Sequence, residues 1–174
     1  MANTFKILLV GEGNVGKTTY VKRLLTGKFE KHNATLINIQ PLEFNTNYGK
    51  ITFNVWDSVG KKEYEGLKEE YYTYAEGCIV MYITRSRGVS KARVEEKIKN
   101  VRDICGNIPL VVCANKVNVE GSRQVSEEEY MISTKSNFNF VKPFLFLARK
   151  LTQHEDLELI EEEPITPPEV ENRR

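Results

Sequence analysis

Gly11-Glu12-Gly13-Asn14-Val15-Gly16-Lys17-Thr18 follows directly on the apolar run Phe5-Lys6-Ile7-Leu8-Leu9-Val10 and leads into Thr19-Tyr20-Val21-Lys22-Arg23-Leu24-Leu25. The stretch satisfies G-x-x-x-x-G-K-[ST] in full, in the setting the pattern needs: a buried strand, a glycine turn, then a helix. Glycines let the backbone curl until successive N–H groups face one anion, and the helix N-terminus adds partial positive charge. The expected cradle is Glu12, Gly13, Asn14, Val15, Gly16, Lys17, Thr18 and Thr19. Within it Lys17 would reach the β- and γ-phosphates, and the Thr18 hydroxyl would ligate Mg²⁺. A glycine turn that only joined strand to helix would have no use for Lys-Thr at its end. The pattern implies a site for a nucleoside triphosphate.

The bulk numbers suit one folded domain. The chain has 174 residues, 40% hydrophobic and 28% charged, with a formal net charge of +1. That size supports a real core, and that charge argues against a general nucleic-acid or membrane-surface binder. The three cysteines, Cys78, Cys105 and Cys113, lack metal-ligand spacing and read as reduced thiols. Cys78 and Cys113 sit in apolar strand-like runs, Cys105 near the end of a helical stretch. No signal peptide or transmembrane run is expected, and with no cysteine near the C-terminus neither is prenylation. The two histidines, His32 and His154, lie in polar segments and read as surface residues.

Strand candidates recur at Phe5–Val10, Ile51–Trp56, Cys78–Ile83 and Leu110–Ala114, with helices predicted over Glu95–Ile104 and Phe140–Leu151. In the second helix Phe144, Leu145, Leu147, Ala148 and Leu151 form an apolar stripe. The alternation predicts an α/β fold: a doubly wound, mostly parallel sheet of about six strands with helices on both faces. Leu42–Thr46 alternates weakly and meets Ile51–Trp56 across Asn47-Tyr48-Gly49, which predicts an antiparallel hairpin at the sheet edge. Val125–Tyr130 reads as a brief connector. The expected division is a domain over 1–154 and an acidic, proline-bearing tail over 155–174, unable to fold alone but able to lie along the domain.

Further segments follow in a fixed order. Thr35 falls in a loop after the first helix, where it could close on Mg²⁺ and the γ-phosphate. Asp57-Ser58-Val59-Gly60 ends a strand: Asp57 could hold Mg²⁺ through water, and the Gly60 N–H could meet the γ-phosphate. Asn115-Lys116-Val117-Asn118 resembles the base-reading N-K-x-D, and Ser133-Thr134-Lys135 the S-A-K loop that meets the base from its other side. Between these, Leu25-Thr26-Gly27-Lys28-Phe29-Glu30-Lys31, Phe53-Asn54-Val55-Trp56-Asp57 and Lys135-Ser136-Asn137-Phe138-Asn139-Phe140 add to the pattern. So do Lys142-Pro143-Phe144-Leu145 and Leu147-Ala148-Arg149-Lys150-Leu151. Over nearly its whole length the chain resembles the Ran branch of the small GTPases, and Pro167-Pro168-Glu169-Val170 resembles the start of the Ran C-terminal extension. The resemblance implies a P-loop domain that cycles between GTP and GDP with Mg²⁺. It implies importin- and exportin-type transport receptors and exchange or activating proteins as partners. A monomer in nucleus and cytoplasm is expected on the same ground, with no nucleic acid on the ground of charge and no membrane anchor for want of a cysteine near the C-terminus.

The departures are as informative. Lys61 stands where the family keeps a water-orienting glutamine, and lysine has three donors but no acceptor for the water's hydrogen. Slow hydrolysis is expected. Asn118 stands where the family keeps aspartate, so one acceptor for the guanine N1–H and N2–H₂ is replaced by a donor. Weaker guanine binding is expected, with xanthine less affected. Ile37 and Asn38 occupy a first switch loop shorter than Ran's, the span from Asn118 to Ser133 is shorter too, and no long acidic extension is expected. These departures also suit a scaffold that retains the fold and binds nucleotide weakly.

Overall fold

The computed structural model describes residues 3–11, 20, 21, 24, 38–57, 71–83, 89–115, 129–132 and 141–160. In chain order the elements are β1 (Asn3–Gly11), β2 (Asn38–Thr46), β3 (Gly49–Asp57), β4 (Gly77–Ile83), α1 (Val89–Cys105), β5 (Leu110–Asn115), β6 (Glu129–Ile132) and α2 (Lys142–Thr152). Tyr20, Val21 and Leu24 are helical. The six strands form one sheet in the order β2-β3-β1-β4-β5-β6. β3, β1, β4, β5 and β6 run parallel, and only β2 is antiparallel to its neighbour.

Alternation along the central strands divides the core in two. Ile7 and Leu9 of β1, Phe53 and Val55 of β3, Ile79 and Met81 of β4, and Val111 and Cys113 of β5 face Tyr20, Val21 and the α2 residues Phe144, Leu147 and Ala148. Leu8 and Val10, Cys78 and Val80, and Leu110 face the other way, onto Tyr71 and the α1 residues Val94 and Val101. Strands buried on both faces read as unbroken apolar runs, which is why β1, β4 and β5 were visible in the sequence. Gly77, at the start of β4, is closely packed: a Cβ there would stand 2.9 Å from Ile7 Cδ1 and 3.4 Å from Leu147 Cδ2.

The hairpin takes the edge position predicted for it. Its loop is Asn47-Tyr48, and Gly49 adopts φ +102°, a left-handed conformation costly for a residue with a Cβ. One expectation needs amending: Glu129–Ile132 is strand β6, paired parallel to β5, so Val125–Tyr130 is not wholly a connector. Just past Glu155 the chain lies along the domain: Leu157 is fully buried in the core, and Leu159 bridges antiparallel to Thr46 at the end of β2. Residues 161–174 lie outside the described residues.

Candidate functional site at the C-terminal edge of the sheet

Parallel strands end together, so whatever follows them is gathered along one rim. Gly11 closes β1, Asp57 closes β3, Asn115 closes β5 and Ile132 closes β6. The register ties these ends across the sheet: Leu9 pairs with Asp57, Gly11 with Met81, Ile83 with Asn115 and Asn115 with Ile132. From β1 the chain proceeds to β2 and β3 on one side and returns to β4 on the other. This reversal makes the C-terminal end of β1 the topological switch point, where open α/β sheets form their ligand crevice. Asp57 and Asn115 are three strand spacings apart, about 14 Å at ~4.8 Å each. A nucleotide laid along the rim can therefore meet one with its phosphates and the other with its base.

Asp57 is 1% exposed, and alternation turns it to the same face as Phe53 and Val55. Tyr20 and Val21, just beyond the glycine-rich turn in sequence, pack on that face as well. A hard oxygen donor held at this point fits the oxygen shell of a divalent cation, reached directly or through water. Asn115 is half-buried at the end of β5. The other predicted site residues lie outside the described residues: Glu12, Gly13, Asn14, Val15, Gly16, Lys17, Thr18, Thr19, Thr35, Gly60, Lys61, Lys116, Asn118, Ser133, Thr134 and Lys135. His32 does too.

One residue escaped the sequence reading. Tyr71 is 4% exposed, and its hydroxyl lies 2.9 Å from the Leu9 carbonyl and 3.1 Å from the Trp56 carbonyl. It thus reaches the backbone just before the ends of both β1 and β3. Its ring is set edge-on to Trp56 and Tyr72. A Tyr-Tyr pair ahead of a strand reads as core, and only the fold reveals where the hydroxyl goes.

The thiols offer no rival chemistry. Burial pushes Cys78 well above the ordinary thiol range, so it stays protonated, and Cys113 is buried as well. Cys105 is also raised by burial, and its Sγ lies 3.6 Å from the Tyr72 carbonyl. An activated thiol needs the opposite shift. His154 is exposed and stacks on Tyr48 at 3.9 Å, in keeping with a surface role.

The glycine-rich sequence thus follows a central strand that ends at the switch point, a buried aspartate ends the next strand over, and an asparagine ends β5. The Ras family model matches residues 6–151, from β1 into the last turn of α2; the chain belongs to the Ras family of small GTPases.

Proposed function

We propose that this protein is a Ran-type switch that binds GTP or GDP with Mg²⁺, hydrolyses GTP slowly and engages nucleocytoplasmic transport receptors in nucleus and cytoplasm. The observation that carries the nucleotide part is the gathering of Gly11, Asp57 and Asn115 along one rim, with Gly16-Lys17-Thr18 following the first of them in sequence. The Ran-type part rests on the sequence resemblance, and slow hydrolysis rests on Lys61.

In this reading the turn after β1 wraps the phosphates with backbone N–H groups, and Lys17 neutralises the β- and γ-phosphates. Thr18 and Thr35 would hold Mg²⁺ directly and Asp57 through water. The bound ion would draw off charge that builds on the phosphate oxygens. Gly60 would offer its N–H to the γ-phosphate. Lys61 adds positive charge nearby but cannot accept a hydrogen bond from an attacking water, so the water goes unoriented. Asn115, Lys116 and Asn118 would meet one side of the base, and Ser133, Thr134 and Lys135 the other.

The test is single-turnover hydrolysis of GTP by the parent and Lys61→Gln, beside an importin pull-down with each nucleotide loaded. The expected result is near-background turnover by the parent, partial recovery in Lys61→Gln, and receptor capture confined to the GTP form. Brisk hydrolysis by the parent would defeat the slow-switch reading. Asn118 and the altered first switch favour a second reading, a scaffold that binds nucleotide weakly. Nucleotide content of protein purified without stripping separates the two: retained GTP speaks for the switch, and an empty, folded protein that captures no receptor speaks for the scaffold.

A further inference from the structure

We propose that Tyr71 is a positioning residue for the nucleotide site, tying the ends of β1 and β3 together through its hydroxyl; the proposal rests on the site reading above. The Leu9 carbonyl belongs to the peptide that enters Val10, one residue before Gly11. The Trp56 carbonyl belongs to the peptide that enters Asp57. The hydroxyl meets both, at 2.9 Å and 3.1 Å. One proton shared between two acceptors on neighbouring strands fixes their relative position more tightly than either strand does alone. Tyr71 is 4% exposed, so water cannot readily take the hydroxyl's place.

The two peptides are those whose alignment the site depends on. One launches the turn that would carry the phosphates, and the other carries the carboxylate that would hold Mg²⁺. Leu9 and Asp57 are partners in the β1–β3 register, so slack there would separate metal from phosphate. The packing locks the ring that presents the hydroxyl. Trp56 stands edge-on at 6.5 Å and Tyr72 at 5.0 Å, while Leu8, Val10, Val80 and Val94 belong to the same cluster.

Tyr71→Phe keeps the ring and removes only the tie. Two measurements on the full chain decide the matter, with Tyr72→Phe as the control. The first is amide hydrogen exchange without nucleotide. Exchange at Val10, Gly11 and Asp57 should quicken by about tenfold, the equivalent of about 1.4 kcal/mol, with β5 and α2 unchanged. A uniform rise over the whole protein, or none, overturns the proposal. The second is release of fluorescent mant-GDP with Mg²⁺ and with EDTA. Release with Mg²⁺ should quicken by about tenfold while release in EDTA stays at the parental rate. An equal change in both conditions assigns Tyr71 to general stability and overturns the positioning role. A parent that fails to retain mant-GDP with Mg²⁺ defeats the nucleotide reading instead, and the exchange pattern then decides alone whether the tie exists.

Discussion

At the scale of single residues, what a side chain can donate or accept decides how it could serve a nucleotide. Asp57 is buried at the end of β3, and Asp57→Asn keeps its shape while removing its charge. Mg²⁺-dependent tightening of nucleotide binding should fall by at least about tenfold, roughly 1.4 kcal/mol, with little change in EDTA; fluorescent-nucleotide titrations in the two buffers check this. Asn118→Asp restores a second acceptor for guanine. It should raise GTP affinity and lower XTP affinity, read by competition among GTP, ITP and XTP, and an unchanged preference would mean that Asn118 does not face the base. Asp57 and Asn115 were legible because strand-ending polar residues interrupt long apolar runs. Tyr71 was not, since its ring announces only burial and its hydroxyl partners, Leu9 and Trp56, are 62 and 15 residues away.

At the scale of elements, the segment after α2 is held on the β2–β3 hairpin by a compact set of contacts. Gln153 ends α2 with φ +59°, turning the chain back along the domain. Arg149 Nε donates to the Leu157 carbonyl at 2.8 Å, Asn47 N–H to the Glu158 carbonyl at 3.2 Å, and Ile160 N–H to the Asn45 carbonyl at 2.8 Å. On the surface Tyr48 stacks on His154 and donates its hydroxyl to Asp156 at 2.6 Å. That bond lowers the Asp156 pKa from its ordinary 3.8 and raises that of Tyr48 from its ordinary 10.0. A lowered acid contributes stability above its unfolded value and loses it as pH falls through the folded one. A raised tyrosine contributes below its unfolded value and loses it as pH rises through the folded one. The clasp should therefore hold between these limits and loosen at both ends, and Tyr48→Phe should flatten both arms of a urea-midpoint profile against pH. Leu157 is the buried part of the same attachment, so Leu157→Ala should cost about 2–5 kcal/mol at neutral pH, measured by urea unfolding. Some of these elements were hidden in the sequence for physical reasons. β2 contains Pro41, which an edge strand tolerates because the missing N–H can face away from the ladder, but which breaks the visible pattern. β6 is only four residues long, too short to show a period, and it forms because β5 offers an edge to pair with.

At the scale of the molecule, two cores on opposite faces hold a sheet whose rim collects strand ends from distant parts of the chain. The doubly wound plan was legible because β1, β4 and β5 each carry a long apolar run, with α1 between β4 and β5 and α2 after the last strand. The expected base-side contacts rest on motifs alone, since nothing in local sequence says which strand ends will be neighbours. That gathering has a thermodynamic consequence. A ligand that touches the ends of β1, β3 and β5 together can bind only while all three are in register, so it binds the folded state and not the unfolded chain. Its contribution is RT ln(1 + [L]/Kd), about 2.7 kcal/mol at a hundredfold excess over Kd. For a chain of 174 residues this corresponds to a rise in Tm of roughly 5–10 °C. Thermal unfolding with increasing Mg²⁺ and GTP should show that rise, climbing with the logarithm of GTP concentration. EDTA should cut it back, and Lys17→Ala, which removes the charge expected on the β- and γ-phosphates, should shift the curve to at least about tenfold higher GTP. XTP should compete more closely with GTP than it does in Asn118→Asp. A Tm indifferent to every nucleotide, in a protein that is otherwise folded, would show that the rim no longer serves as a nucleotide site and would leave the scaffold reading in its place.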